Sequence, residues 1–141
     1  MRGPALPLLQ HDRVCLRAGL LCNDSQLVER DASWDIEGDP TEGALLVVSA
    51  KAGLNAQILR EELPCVDSIP FESEHQYMAS LHDQGIDRPR MVYIKGSVEA
   101  ILQRCEQAMD AGGSAQSLNR EAIHAQVASL AARGLRVLAF A

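Results

Sequence analysis

The sequence predicts an α+β fold, a mainly antiparallel β-sheet flanked by helices, and three observations favour it. Apolar residues recur at helical spacing near both ends of the 141-residue chain. Between Cys65 and Ile94 the apolar period changes to two, and a turn-rich stretch joins two strands as a hairpin. Helices and strands therefore interleave with at least one hairpin connection, which argues against a doubly wound parallel sheet. The length suits one domain with a buried core.

Composition and charge exclude several classes of protein. The chain is 47% hydrophobic and 23% charged, as is usual for soluble globular domains. Its 13 Lys and Arg residues against 19 Asp and Glu residues give a net charge of −6, which argues against a nucleic-acid-binding protein. No apolar run approaches the ~20 residues that span a bilayer, so no direct membrane insertion is expected. The four cysteines lack CxxC spacing and suitably spaced histidines, which disfavours a zinc site.

The chain is expected to begin with a tail, residues 1–10, before the first helix. Asp12 is predicted to cap that helix, which runs to about Cys22. A short hairpin is then predicted around Asp31–Ser33, with its two arms at Ser25–Arg30 and Trp34–Ile36.

The clearest helix start follows at Asp39. Asp39 is an N-cap residue, Pro40 takes the first helical position, and Glu42 stands in the capping-box position. This helix is predicted to end at Gly53. Four apolar residues are predicted to form its inward face: Ala44, Val47, Val48 and Ala52. A further helix is predicted over Ala56–Glu62, before Pro64.

Three strands are predicted in the middle of the chain. The first covers Cys65–Ile69 and is expected to end at Pro70. The second, Tyr77–His82, alternates apolar residues on one face. The turn-rich stretch Asp83–Pro89 joins it to the third strand, Arg90–Ile94.

The C-terminal part is predicted to contain two helices and a central strand. Ser97 is expected to cap a helix that extends to Cys105, and Asp110–Ser117 is expected to be a loop. A long helix is predicted over Asn119–Ala132, with Ile123, Val127, Leu130 and Ala131 inward, ended by Gly134. Leu135–Ala141 is apolar on both faces, which is typical of a central strand.

Several motifs of nucleotide-binding and hydrolytic proteins are absent from the sequence. It contains no GxxxxGK[ST] loop and no GxGxxG after a strand. It also lacks a GxSxG elbow and any Cys, His and Asp set with the spacing of a nucleophilic triad. A free-standing hydrolase is therefore disfavoured, and we predict neither catalytic residues nor metal ligands.

Four short segments, taken in order, give a more specific indication. They are CNDS at 22–25 leading to GDPTEGAL at 38–45, PFESE at 70–74, YIKGS at 93–97, and RGLRVLA at 133–139. This order resembles the nucleotide-binding (N) domain of type II P-type cation-transporting ATPases, the group that includes calcium pumps. The resemblance extends from about His11 to Ala141.

The resemblance implies a fragment of a larger membrane pump, with residues 11–141 as its ATP-binding domain at the cytosolic face of a membrane. The implied ligand is ATP, as Mg-ATP, with Mg²⁺ held mainly by a separate phosphorylation domain. The implied partners are the phosphorylation, actuator and transmembrane domains of the same parent chain. The family's phosphorylation motif, Asp-Lys-Thr-Gly-Thr, is absent from these 141 residues. This chain is therefore expected to bind adenine nucleotides without hydrolysing them.

The resemblance assigns adenine recognition to three residues, each of which has a plainer interpretation. Glu42 is a capping-box residue, and the resemblance implies that it also accepts a hydrogen bond from the adenine amino group. Phe71 is an ordinary core residue or, by resemblance, a ring stacked on adenine. Met78 is a core methionine or, by its place in the family pattern, a neighbour of the adenine pocket.

Two cations and a glycine complete the candidate site. Lys95 is a solvated lysine or, by resemblance, a neighbour of the ribose and phosphates. Gly96 would let a ligand approach the backbone. Arg136 is predicted to share a strand face with Leu138 and Phe140. It would then form an internal salt bridge, for example with an acid of the first hairpin, or aim at the nucleotide phosphates.

The sequence departs from the family pattern after Phe71. Type II pumps usually carry basic residues there, whereas residues 72–76 read ESEHQ and hold no permanent cation. If His75 points at the phosphates, ATP should bind more tightly as the pH falls from about 8 to 6; a surface histidine is the plainer interpretation. The missing cations also motivate an alternative function, an interaction or regulatory module that keeps the fold but binds no nucleotide.

Overall fold

The computed structural model describes residues 7–141, and this part of the chain contains five helices and eight strands. The helices are α1 (Gln10–Leu21), α2 (Pro40–Lys51), α3 (Ala56–Glu62), α4 (Val98–Leu102) and α5 (Arg120–Ala132). The strands are β1 (Gln26–Arg30), β2 (Ser33–Glu37), β3 (Cys65–Glu72), β4 (Tyr77–His82), β5 (Met91–Gly96), β6 (Gln107–Met109), β7 (Ala115–Ser117) and β8 (Ala139–Phe140). Most of the predicted tail, residues 1–6, lies outside the described residues.

The main sheet has four antiparallel strands in the order β3-β4-β5-β8. Its central hairpin places Met78 of β4 opposite Lys95 of β5, and β8 places Phe140 beside the same lysine. Two separate hairpins, β1-β2 and β6-β7, lie outside this sheet. The predicted α+β class with an antiparallel sheet and flanking helices is therefore confirmed.

The core lies between the sheet and a layer formed by α1, α2 and α3. Leu20, Cys22, Leu46 and Met78 belong to one buried apolar cluster that joins these elements. His82 is also buried, and both ring nitrogens have partners: Nδ1 lies 2.7 Å from the Leu63 carbonyl oxygen and Nε2 2.8 Å from the Ser80 hydroxyl. The polar groups of this buried histidine are thus satisfied.

Within residues 7–141 no helix combines the length and the apolarity that a bilayer crossing requires.

The N-caps predicted at Asp39 and Ser97 and the helix end predicted at Gly134 are present, and Asn119, predicted as the first residue of the last helix, is a further N-cap. Asp39 accepts hydrogen bonds from the Thr41 and Glu42 backbone N–H groups, at 2.8 and 3.1 Å. Ser97 and Asn119 each accept one from the third residue of their helices, at 3.2 and 3.0 Å. Gly134 ends α5 with a φ of +76°. Pattern and capping together therefore located α2, α4 and α5.

The start of α1 differs from the prediction. The helix begins at Gln10 and not after Asp12. Asp12 lies in the first turn, and its carboxylate accepts a hydrogen bond at 2.9 Å from the backbone N–H of Leu9, the residue at the N-cap position. Asp12 therefore bonds to the helix start from the third helical position, as the acidic residue of a capping box does, and not from the cap itself.

The predicted inward face of α2 is partly wrong. Of its four residues, Ala52 is buried and Val47 half-buried, whereas Ala44 and Val48 are exposed. The buried residues of the helix itself are Gly43, Leu46 and Ser49. A Cβ on Gly43 would lie 2.9 Å from Ile36 Cγ1, and Ser49 donates a hydrogen bond at 3.3 Å to the carbonyl oxygen of Leu16. The smallest residues face inward because β2 and α1 approach the helix closely, and apolar periodicity does not detect such contacts.

Two predicted strand limits also change. β3 continues through Pro70 to Glu72, because it is an edge strand and its pairing with β4 is irregular between Ile69 and Glu72. Proline is tolerated at such positions. At the C-terminus only Ala139–Phe140 form a strand, and it lies at the sheet edge and not at its centre.

Smaller differences concern residues 98–132. α4 ends at Leu102, three residues before the predicted Cys105. The predicted loop at Asp110–Ser117 contains β7, which pairs with β6 as a hairpin. In α5 three of the predicted inward residues are half-buried, whereas Ala131 is exposed.

Gly96 is the position where the sheet itself needs a glycine. A Cβ there would collide with the Gln76 carbonyl oxygen and lie 2.7 Å from Tyr77 Cβ. We therefore expect Gly96→Ala to lower the free energy of unfolding by about 1–3 kcal/mol, because backbone atoms must shift. Gly112→Ala is the control, since its nearest neighbour would be 3.4 Å away. Denaturant unfolding measures both, and equal stabilities would contradict the packing argument.

Candidate functional site

One open cavity of about 640 Å³ lies where the N-terminus of α2 meets the ends of β3 and β5 and the start of β4. All six predicted site residues line it: Glu42, Phe71, Met78, Lys95, Gly96 and Arg136. The antiparallel pairing explains the convergence, because Tyr77 pairs with both Glu72 and Gly96 and so brings three strand ends together. The remaining lining residues are Asp24, Asp39, Thr41, Leu45, Pro70, Gln76, Ser97, Val137 and Leu138.

Glu42 and Lys95 form a largely buried ion pair in this cavity. Lys95 Nζ lies 2.7 Å from Glu42 Oε1, and the two side chains are 7% and 15% exposed. The pair joins the first turn of α2 to β5. The plainer prediction for Lys95, a solvated lysine, is therefore wrong.

The second carboxylate oxygen of Glu42 is held by the turn after α1. Glu42 Oε2 accepts hydrogen bonds from the Ser25 hydroxyl at 3.0 Å and from the Asp24 backbone N–H at 3.2 Å. Asn23 supports this turn by donating from Nδ2 to the carbonyl oxygens of Gly19 and Glu42, each at 3.0 Å. The predicted capping-box bond is replaced, because the Glu42 carboxylate points to Lys95 and this turn and not back to Asp39.

Two apolar side chains define different parts of the cavity wall. Phe71 lies near the end of β3, and 57% of its surface is exposed. It is therefore not the ordinary core residue of the plainer interpretation. Met78, in contrast, is buried in the main core, and its neighbour across the hairpin is Lys95. The cavity thus offers an exposed aromatic ring and a fixed apolar floor.

Arg136 lies on the cavity rim and not in a buried strand. It is exposed, precedes β8, and donates a hydrogen bond from Nη1 to the Thr41 hydroxyl at 2.7 Å. The predicted shared strand face with Leu138 is wrong, since residues 136–138 line the cavity and do not pair in the sheet. The partner of the guanidinium is a hydroxyl of α2, and not an acid of the first hairpin.

The environment of Asp39 favours its ionised form. The backbone N–H of Glu42, then that of Thr41, the Thr41 hydroxyl and the Arg136 charge hold the pKa of Asp39 below its ordinary value of 3.8, although desolvation acts in the opposite direction. A carboxylate therefore occupies the N-terminal end of α2 at neutral pH.

Gly96 has a structural role besides its place in the cavity lining. A Cβ at this position would meet the Gln76 carbonyl oxygen and Tyr77, so a glycine is needed here for the strands to pair. The Ser97 hydroxyl caps α4 and also donates to Gln76 Oε1 at 3.2 Å. Gln76 itself has a φ of +58°.

His75 does not belong to the cavity lining. Its Nε2 lies 3.4 Å from Glu72 Oε2, and its ring is 6.2 Å from that of Tyr77. Glu72 ends β3 and Tyr77 begins β4, so both flank the turn that contains His75. The hypothesis of a phosphate contact through His75 has no geometric support, and the plainer prediction of a surface histidine fits its position.

The sequence analysis missed several polar residues of the cavity. Asp24, Asp39 and Thr41 fall inside the two N-terminal segments on which the family resemblance rests, so that resemblance held a signal for them. Ser97 likewise ends the YIKGS segment, whereas Gln76 appeared only in the stretch ESEHQ that carries no permanent cation. Across residues 7–141 no group of three or more His, Cys, Asp or Glu side chains is arranged to hold a metal ion.

We expect the loss of one partner of the Glu42–Lys95 pair to lower the stability more than the loss of both charges. Lys95→Met should lower the free energy of unfolding by about 3 kcal/mol, because it leaves a largely buried carboxylate without its cation. The double variant Glu42→Gln/Lys95→Met should recover part of that loss, because no buried charge remains. Denaturant unfolding of the two single variants and the double variant gives the coupling energy. Additive losses would show that the pair does not act as a unit.

We expect the contribution of Asp39 to the stability of the fold to depend on pH and to be lost in acid. A folded-state pKa below 3.8 means that ionised Asp39 stabilises the fold above about pH 4, and that this contribution disappears as the pH falls through the folded-state pKa. The stability difference between the unchanged chain and Asp39→Asn should therefore shrink from pH 6 to about pH 3. Glu62→Gln, at an exposed position of α3, is the control. A difference that stays constant or grows on acidification would contradict the assignment.

Comparison with known proteins places the chain in a family. Residues 13–141 match the family described as P-type ATPase, cytoplasmic domain N. The cation-transporting ATPase pma1 of Synechocystis sp. is 53% identical over 127 residues, which are 90% of this chain and 14% of that protein. A calcium-transporting ATPase of Bacillus subtilis is 31% identical over 125 residues, 87% of this chain and 14% of that protein.

A human relative shows similar coverage. The human calcium-transporting ATPase type 2C member 1 is 31% identical over 130 residues, 89% of this chain and 14% of that protein. The chain thus spans 14% of the length of each of these three relatives. It belongs to the P-type ATPase family and corresponds to the cytoplasmic domain N of these cation-transporting enzymes.

Proposed function

We propose that this chain binds ATP as the nucleotide-binding domain of a P-type cation-transporting ATPase. It would position the nucleotide for phosphoryl transfer to an aspartate on a phosphorylation domain of the same protein. The observation that carries the proposal is the convergence of six residues, predicted from sequence alone, around one cavity: Glu42, Phe71, Met78, Lys95, Gly96 and Arg136.

The purine is bound by stacking and by one carboxylate. The exposed ring of Phe71 offers a face for adenine, and base–aromatic stacking contributes about 1–3 kcal/mol. Glu42 Oε1 accepts one bond from Lys95 and keeps capacity for the adenine amino group. Guanine presents a carbonyl oxygen at the corresponding position and would be repelled. Met78 supplies the apolar floor beneath the base.

The domain contributes binding and orientation, and no bond is broken in its cavity. Lys95 adds positive charge beside Glu42, and Arg136 offers a guanidinium at the rim. Phosphoryl transfer depends mainly on positioning and electrostatic stabilisation, so holding the adenosine end fixes where the γ-phosphate reaches. Mg²⁺, when bound, accompanies the phosphates and neutralises their charge, and we assign its protein ligands mainly to the phosphorylation domain.

The family match suggests a location for this domain and the domains that surround it. We propose that residues 11–141 form the nucleotide-binding unit at the cytosolic face of a membrane. Its partners would be the phosphorylation, actuator and transmembrane domains of one longer protein. The match to a cytoplasmic domain over residues 13–141 supports this assignment, as does the small share of each relative that the chain covers. In such a protein ATP hydrolysis is coupled to ion transport.

One specific observation favours a second candidate, an interaction or regulatory module that binds no nucleotide. Residues 72–76 carry no permanent cation, and the buried cation of the cavity is already paired with Glu42. Such a module would show no saturable response to ATP and no effect of changing Lys95. The presence of an exposed ring beside the cavity supports nucleotide binding over this alternative.

Nucleotide binding by the 141-residue chain should be weak and should depend on Phe71. With one stacked ring and few polar contacts, we expect a Kd for ATP on the order of 0.1–10 mM, or roughly −3 to −5.5 kcal/mol. Phe71→Ala should weaken binding at least about tenfold through loss of stacking. Adenine nucleotides should outcompete guanine nucleotides. Chemical-shift titrations of the labelled chain measure all three quantities.

The matched control is Trp34→Ala, which removes another exposed aromatic ring, 70% exposed and outside the cavity lining. It should leave nucleotide affinity unchanged. Unaltered shifts and affinity in Phe71→Ala would show that the base lies elsewhere. A chain that shows no saturable shifts with any nucleotide would support the interaction module.

A further inference from the structure

The β1-β2 hairpin carries an exposed tryptophan. Trp34 of β2 is 70% exposed, although the large indole side chain is highly buried in most proteins. It is the single tryptophan of the 141 residues, and it does not line the cavity of the candidate site. The proposed nucleotide-binding function therefore leaves this ring without a role.

The pairing of the hairpin explains why the ring lies in solvent. Trp34 pairs with Glu29, and Ile36 pairs with Leu27. Alternate residues of a strand share a face, so these two pairs lie on one face of the hairpin. The inner pair packs on the domain, since Leu27 contacts the buried cluster and Ile36 lies next to Gly43 of α2. The outer pair extends the same face beyond α2 into solvent.

A tight turn fixes the shape of the hairpin. Asp31 and Ala32 have φ values of +50° and +62°, as in a two-residue type I′ turn, whose twist matches that of the paired strands. Five residue pairs join the two strands. The ring of Trp34 therefore lies on an ordered element, so a partner that binds it has little backbone freedom to remove.

The hairpin is strongly acidic. It contains four carboxylates and one guanidinium, all on exposed residues. The guanidinium of Arg30 forms an ion pair with Glu37, so its charge is engaged. Among the described residues, Glu29, Asp31 and Asp35 have no salt-bridge partner. Three unbalanced negative charges thus lie on the element that carries the exposed indole.

A planar cation fits this combination of groups. The face of an indole ring attracts cations more strongly than the other aromatic side chains do. Glu29 lies directly across from Trp34, and the Cβ atoms of such a pair are about 5 Å apart. A guanidinium over the ring can therefore also donate a pair of hydrogen bonds to the neighbouring carboxylate, which an ammonium group cannot do in the same geometry.

The negative charge disfavours three other occupants of this surface. Nucleic acids and the anionic headgroups of membranes would be repelled by the carboxylates. A second copy of this chain, with its net charge of −6, would be repelled as well. A polypeptide with clustered positive charge is the occupant that the charges favour.

We infer that the β1-β2 hairpin is a docking surface for an arginine-rich segment of a partner protein, with one guanidinium over Trp34 and bonded to Glu29. The inference goes beyond the proposed nucleotide binding, because neither residue lines the cavity. The hairpin offers a small contact area, so the complex is transient. Its charged groups are exposed, so the affinity depends on salt.

Trp34 is itself the probe for the first experiment, because it is the only source of tryptophan fluorescence in the chain. The chain is titrated with a peptide of four arginines around a central glycine, and with its lysine and glutamine counterparts. We expect saturable changes with the arginine peptide, about threefold tighter binding than for the lysine peptide, and no saturation with the glutamine peptide. Salt at about 300 mM should weaken the arginine peptide about fivefold.

Two outcomes of this titration would overturn the inference. One is the absence of a saturable fluorescence change with the arginine peptide at low salt. The other is equal affinity for the arginine and lysine peptides, because the planar guanidinium would then contribute nothing beyond its charge.

Two substitutions test the residues on the proposed contact face. Trp34→Leu keeps an apolar side chain but removes the ring, and it should weaken the arginine peptide about threefold. Glu29→Gln removes the carboxylate opposite the ring and should weaken the peptide by a similar factor. Chemical shifts of the labelled chain measure binding in both variants, since the first has no fluorophore. Unchanged affinity in Trp34→Leu would overturn the assignment to the ring.

Asp35→Asn is the matched control within the hairpin. Asp35 pairs with Val28 and lies on the opposite face from Trp34. Glu62→Gln is a second control, at an exposed position of α3. Both should leave the affinity for the arginine peptide within about 1.5-fold of the original. Losses as large as that of Glu29→Gln would show that net charge alone attracts the peptide, which would overturn the inference.

The fluorescence of Trp34 also tests the disfavoured occupants. Vesicles of phosphatidylcholine and phosphatidylserine should leave its emission maximum unchanged, and so should a higher concentration of the chain itself. A shift to shorter wavelength with the vesicles would identify a membrane surface as the occupant, and a shift with concentration would identify a second copy. Either shift would overturn the inference.

Discussion

The ion pair between Glu42 and Lys95 is the interaction on which the cavity depends. It joins residues 53 positions apart, one on the first turn of α2 and the other on β5. A largely buried pair is tolerated only when further hydrogen bonds satisfy its polar atoms. Glu42 obtains them from Ser25 and the Asp24 backbone, so one carboxylate holds a helix, a strand and a turn in register. The cavity forms where these three elements meet.

This pair also limits what the cavity offers to a ligand. Lys95 is engaged within the protein, and only part of the hydrogen-bonding capacity of Glu42 is left for a base. The exposed ring of Phe71 lies in the lining of the same cavity. Polar groups held in fixed positions and one aromatic ring would orient a ligand well but bind it weakly. Under the proposed function, weak binding would suit a domain that holds ATP for a neighbouring domain and then releases the product.

Local signals predicted much of the fold, and contacts between distant segments account for most of the errors. The caps at Asp39, Ser97 and Asn119 depend on residues within three positions, so the sequence contains the whole interaction. The inward face of α2 depends instead on Gly43 packing against a hairpin. The short β8 depends on residues 136–138 lining the cavity, which the apolar character of this segment does not reveal.

In the candidate site, the sequence predicted which residues lie together but not which atoms they contact. Family resemblance identified six residues that line one cavity, but the capping-box rule assigned the wrong partner to Glu42. That rule considers only the backbone N–H of the N-cap residue. A lysine ammonium brought close by the fold is a stronger partner for a carboxylate, because the bond is charge-assisted and largely shielded from water. Once Glu42 turns to Lys95, the lysine ammonium is bound by a carboxylate of the protein itself. The charges in this cavity thus follow from a competition that no single segment of the sequence contains.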